Sequence, residues 1–113
     1  MNEVKIIAGA MLEKKAQDVR SMDLRKLGNT ICDFFVICNA DSGIQVAAIA
    51  DQVEEQMFLK AGRHVRRSQG KENRFWVILD YSDIVVHIFQ TEYRRFYRLE
   101  DLWADAETQH YND

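Results

Sequence analysis

The chain has 113 residues, 47% hydrophobic and 29% charged, with a formal net charge of −3 and no proline. That length suits one domain able to bury a core unaided, and that balance excludes both a disordered chain and a generally basic nucleic-acid binder. The two cysteines, Cys32 and Cys38, cannot build a disulfide framework and read as buried thiols of a reducing compartment; with no apolar run of bilayer length and no signal-peptide layout at the amino end, a cytoplasmic protein is expected.

Residues 2–17 place Val4, Ile7, Ala8, Met11 and Leu12 at helical spacing and predict an amphipathic helix. Val19 to Leu24 then predicts a short strand, and Lys26-Leu-Gly-Asn-Thr a loop. Phe34-Phe-Val-Ile-Cys38 is apolar throughout, the pattern of a central strand covered on both faces. Ser42 with Gln45 three residues on is a capping-box pattern. It opens a helix whose apolar stripe is Val46, Ile49, Ala50, Val53 and Met57, with Gly62 as its stop. Asp41-Ser42-Gly43 at that helix start could also hold a phosphate, though ordinary capping explains the same residues.

Phe75–Asp80 and Ile84–Phe89 predict a hairpin about a two-residue connector, Tyr81-Ser82. That connector pairs Asp80 with Asp83, Ile78 with Val85 and Trp76 with His87. One face then carries Phe75, Val77, Leu79, Ile84, Val86 and Ile88 and must meet the core. The other interleaves Trp76, Ile78, Asp80, Asp83, Val85, His87 and Phe89. Residues 91–106 predict a helix capped by Thr91, with Phe96, Leu99, Leu102 and Trp103 making apolar contacts; residues 107–113 are expected to fray.

The pattern contains no nucleophile elbow, Gly-rich phosphate loop or paired-His zinc motif. Asp80, Asp83 and His87 have the chemistry of a metal or acid–base site, but carboxylates that bracket a turn are common. Positive charge gathers at Lys60, Arg63, Arg66, Arg67, Lys71 and Arg74, and again at Arg94, Arg95 and Arg98. Such runs are most often solvated faces; the first is also a candidate RNA contact, through Arg63, Arg66, Arg67, Lys71 and Arg74. The mixed hairpin face is too apolar to stay wholly exposed, so a helix of this chain or a partner must cover it. Trp, Tyr and Arg concentrate interface energy. The candidate partner surface is therefore Trp76, Ile78, Asp80, Tyr81, Asp83, Val85 and His87, continued by Tyr93, Arg94, Tyr97 and Trp103.

Several stretches together resemble the ribosomal silencing factor family, also called RsfS or Iojap-like proteins. They are Asp33-Phe-Phe-Val-Ile; Ser42 with Ala48-Ile-Ala-Asp-Gln-Val; Trp76-Val-Ile-Leu-Asp-Tyr-Ser-Asp-Ile-Val-Val-His-Ile-Phe; and Glu92-Tyr-Arg-Arg-Phe-Tyr-Arg-Leu-Glu-Asp-Leu-Trp. The resemblance spans residues 18–105 in family order. It departs at Gln69, where the family usually has Glu, and at Ser82, where it usually has Gly. It implies a single α/β domain of the α+β type over residues 1–113, with a core over 18–105. A mixed sheet of about five strands with helices packed on it, similar to nucleotidyltransferases, is the architecture implied. It also implies binding to the large ribosomal subunit through its L-fourteen protein, steric blocking of subunit joining when nutrients are scarce, and no cofactor. A second copy of the chain is another expected occupant of the hairpin face. The competing readings are a metal-dependent nucleotidyltransferase using Asp33, Asp80 or Asp83, and a general RNA-binding module. That fold's paired carboxylates follow a Gly-Ser motif that this chain lacks, so the enzyme reading inherits nothing from it.

Overall fold

The structure is a computed structural model that describes residues 2–28 and 32–112. The elements in chain order are α1 (Asn2–Glu13), β1 (Gln17–Asp23), β2 (Phe34–Ala40), α2 (Gly43–Ala61), β3 (Arg67–Gln69), β4 (Trp76–Asp80), β5 (Ile84–Gln90), α3 (Thr91–Tyr97), α4 (Leu99–Leu102) and β6 (Glu107–Tyr111). Asn29 and Thr30 of the expected loop lie outside the described residues.

The strands form one mixed sheet in the order β3-β4-β5-β2-β1-β6. β2 and β5 run parallel at its centre, and every other neighbouring pair is antiparallel. β2 is buried at all seven positions, as an apolar run covered on both faces must be. The α+β architecture is the one the resemblance implies, with six strands where about five were expected, and both edges are short polar strands. β3 is exposed throughout, and β6 nearly so, which is why neither shows an apolar alternation. The tail expected to fray from residue 107 instead pairs with β1, Val19 opposite Tyr111 and Asp23 opposite Glu107, and Tyr111 Oη lies 3.0 Å from Ser21 Oγ. Backbone hydrogen bonds to an open strand edge order this segment, and composition carries no trace of them.

The first face of the sheet is sealed by α1 and α2, which bury Ile7, Met11, Ile49, Val53 and Met57 against Val36, Val77, Leu79, Val86 and Ile88. Ser42 caps α2 by accepting the Gln45 backbone N–H, and Gly62, at φ +65°, ends it. Only half of the capping box forms. The Gln45 amide turns instead to the Lys14 and Lys15 carbonyls at the end of α1, joining the two helices.

The hairpin differs from expectation by one residue at its turn. Trp76 opposes Phe89, Ile78 opposes His87 and Asp80 opposes Val85. Tyr81 N–H donates to the Ile84 carbonyl, so the two-residue turn is Ser82-Asp83. The pairing slips by two positions, which keeps the paired side chains of β4 and β5 on their expected faces. Tyr81 thereby becomes the last inward-facing residue of the strand, after Val77 and Leu79. Phe75 departs from its expected place: it is exposed, stacked on Tyr93 at 4.6 Å between ring centroids.

Candidate functional site

On its second face the sheet is only partly covered. The single expected helix over residues 91–106 is broken at Arg98, at φ +49°, into α3 and the one-turn α4. Gln90 holds the cap position of α3. The Thr91 hydroxyl instead donates to Asp41 at 2.7 Å and accepts from Asn39 at 2.9 Å. These two short helices lie over β1, β2 and part of β5, where Tyr93, Leu99 and Trp103 pack on Met22, Phe35, Ile37 and Phe89. Beyond them the sheet is open.

What remains open is an aromatic surface. Trp76 stacks on buried Phe89 at 4.8 Å and meets Tyr97 at 5.0 Å, and Tyr97 meets Phe96 edge-on at 5.2 Å. Phe96 and Leu102, expected inside, are 76% and 73% exposed. Their spacing hid this, because Phe96, Leu99 and Trp103 share one face of a continuous helix. The chain instead breaks at Arg98, and Phe96 before the break and Leu102 after it are both exposed. Phe75, Trp76, Phe96, Tyr97 and Leu102 thus present large apolar side chains from β4 and its approach, α3 and α4. Phe75, Phe96 and Leu102 are the members that sequence reasoning missed.

Below the aromatics, Ile78, Val85 and His87 project from β4 and β5, with Phe35 of β2 beside them. The Trp76 indole donates to His87 Nδ1 at 3.0 Å, fixing the indole against the sheet. His87 is 5% exposed, and burial pushes its pKa down to about 3. Asp80 sits at the edge of this area and accepts the Ser82 backbone N–H at 2.7 Å.

Three residues expected on the partner surface have other duties. Tyr81 is 1% exposed in the core between the sheet and the helices, and burial raises its phenol pKa to about 12. Asp83 pairs with Arg63 at 2.8 Å and so is engaged within the chain. Arg94 is 6% exposed: it donates to the Asp18 carbonyl at 2.8 Å, Asn39 Oδ1 at 2.7 Å and Glu100 Oε2 at 3.0 Å. Its Nη2 also lies 2.9 Å from Glu100 Oε2, but off the line of a hydrogen bond. Arg94 is a clasp between α3, β1 and β2, buried away from any partner.

The basic stretch divides in the same way. Arg63 bridges Glu3, the Tyr81 carbonyl and Asp83, and Lys71 pairs with Glu54 at 2.6 Å. Arg66, Arg67 and Arg74 are exposed and form no ion pair among the described residues. Asp33 donates its backbone N–H to the Asp83 carbonyl at 2.8 Å. Among the described residues no group of three or more His, Cys, Asp or Glu side chains is placed to hold a metal, and no helix is long and apolar enough to cross a membrane. Cys32 and Cys38 are buried, their thiols pushed up to about 11 and 12 by desolvation.

A mixed sheet sealed by helices on one face and partly open, with aromatics, on the other defines a domain of the α+β class. Comparison with known proteins specifies it further. The family described as ribosomal silencing factor during starvation matches residues 1–113. The chain is 37% identical to the ribosomal silencing factor RsfS of Bacillus subtilis, over 91% of this chain and 86% of that protein. It is also 37% identical to the chloroplastic protein Iojap of Zea mays, over 88% of this chain and 42% of that longer protein. A crystal structure of a protein from Chromobacterium violaceum superposes with a TM-score of 0.85 at 30% identity, covering 91% of this chain and 84% of that one. One from Bacillus halodurans gives 0.78 at 34% identity, covering 90% and 93%. The chain belongs to the ribosomal silencing factor family, a family of translational regulators associated with the ribosome.

Proposed function

We propose that this protein acts without catalysis, in the cytoplasm, by seating its open sheet face on the large ribosomal subunit. The partner is the L-fourteen protein, on the surface that meets the small subunit, and joining is blocked by occupancy. The observation that carries this reading is the half-covered second face. Trp76, held by His87 and Phe89, stands beside Tyr97, which meets Phe96, in one apolar surface that runs from β4 onto α3. Rigid aromatics over a packed floor are the kind of group that concentrates binding energy.

Sedimentation with isolated large subunits tests it. The wild-type chain should co-sediment with no need for nucleotide or metal. Trp76→Ala and Tyr97→Ala should each weaken binding at least tenfold while the chain stays folded. Normal binding by a folded Trp76→Ala variant would remove this face from the interface. Arg66, Arg67 and Arg74 are the part of the basic stretch left for nearby ribosomal RNA phosphates. Reversing Arg66 and Arg67 to Glu should flatten the salt dependence of binding more than it changes stability.

A further inference from the structure

The floor of this face holds a hydrogen-bond donor with nothing to donate to. Because His87 Nδ1 accepts the Trp76 indole N–H, the proton of the neutral imidazole resides on Nε2. Nε2 is buried and has no acceptor among the described residues. The Phe35 ring, 4.7 Å away at 80° to the imidazole, offers at most the weak acceptor of a π face. Buried N–H groups are normally matched, so an orphan on a ring that lines a surface recess marks an unfilled role.

The hollow is there. His87 lines a recess of about 210 Å³ together with Phe35, Ile78 and Val85, with the polar Arg67, Gln69 and Asp80 completing the lining. That is room for one side chain. We propose that the recess receives a single side chain of the protein partner, one carrying a neutral oxygen acceptor on an apolar stem, and that His87 Nε2–H is the donor that reads it. The apolar walls exclude a charged group, whose desolvation a neutral imidazole would not offset. The lining carries one cation and one carboxylate, so a nucleic-acid phosphate finds no net field there. The recess adjoins the Trp76–Tyr97 aromatics, so a protein seated on those would reach it.

This inference rests on the docking of that face to the ribosome, and its test separates the two. Ile78→Phe fills the recess while leaving Trp76 and His87 in place. Its binding to isolated large subunits should fall at least tenfold with an unchanged thermal midpoint. In the chain labelled with ¹⁵N-histidine, titration with purified L-fourteen protein should move the His87 Nε2 proton downfield and slow its exchange with water. If the wild type binds subunits and folded Ile78→Phe binds equally well, the recess is not a receptor and the docking reading stands. An Nε2 resonance unchanged in the complex overturns the proposal by itself, even if Ile78→Phe does not fold. A response to a ribosomal RNA fragment in place of the protein overturns the choice of occupant. If the wild type binds no large subunits, both readings fall.

Discussion

Ser82 occupies the first position of the hairpin turn at φ +77°, in the left-handed region that costs a residue with a Cβ about 1 kcal/mol or more. The family usually has glycine there. Ser82→Gly should therefore stabilise the chain by about 1 kcal/mol, read as a higher urea midpoint at unchanged slope. His87 makes a second prediction at this scale. Its pKa falls from the ordinary 6.5 to about 3 because burial disfavours the charged ring. Above pH 6.5 the imidazole is neutral whether the chain is folded or not, and the contribution is fully present. As pH falls from 6.5 toward 3, the unfolded chain takes up a proton that the folded chain refuses, so stability is lost. The slope approaches about 1.4 kcal/mol per pH unit, and His87→Gln should flatten it between pH 6 and 5. Carboxylates such as Asp18, held low first by its hydrogen bond to Arg20, act below that window.

At the scale of elements, the docking face depends on where α3 and α4 lie, and a single guanidinium decides that. Arg94 reaches from α3 to the Asp18 carbonyl and Asn39, and to Glu100 in α4. The Asn39 amide passes the tie on to Thr91 and Gln17, and both of these reach Asp41. Arg94→Ala leaves buried acceptors unmatched and should cost about 3 kcal/mol. It should also speed amide exchange across residues 91–103 more than across β2, and weaken subunit binding without touching a contact residue. Gly70 governs the β3–β4 connection. At φ +86°, an added Cβ would come within 2.0 Å of the Trp76 carbonyl oxygen. Gly70→Ala should destabilise the chain by more than about 1 kcal/mol and displace the backbone that carries Trp76.

At the scale of the whole molecule, a domain that works by occupancy must act in proportion to its amount. Added to separated subunits, the protein should lower the joined-ribosome peak in step with the large subunits it occupies. It should do less once subunits have joined, because its site is then covered. A chelator should change nothing. Asp80→Asn should weaken inhibition through affinity alone, so excess protein restores it. Substoichiometric, chelator-sensitive inhibition would replace occlusion with catalysis.

Local chemistry and periodicity were enough for the parts whose forces are local. The α2 bounds follow from Ser42 and Gly62, the buried central strand from five consecutive apolar residues, and the inward face of the hairpin from strict alternation. The family could be recognised because the hairpin and the Phe96-Tyr-Arg-Leu-Glu-Asp-Leu-Trp ending are specific runs of residues. The rest depended on interactions between distant parts of the chain. β6 exists because β1 offers it an edge, and Tyr81 faces the core because the turn forms one residue later than its polarity suggests. Arg94 could be read as a surface anchor until the fold brought Asp18, Asn39 and Glu100 around it. Phe96 and Leu102 stand exposed on either side of a left-handed Arg98 that breaks the expected helix in two. Which aromatics stay uncovered is set by where two short helices stop on a sheet, and that placement is a balance of long-range contacts which spacing along the chain does not encode.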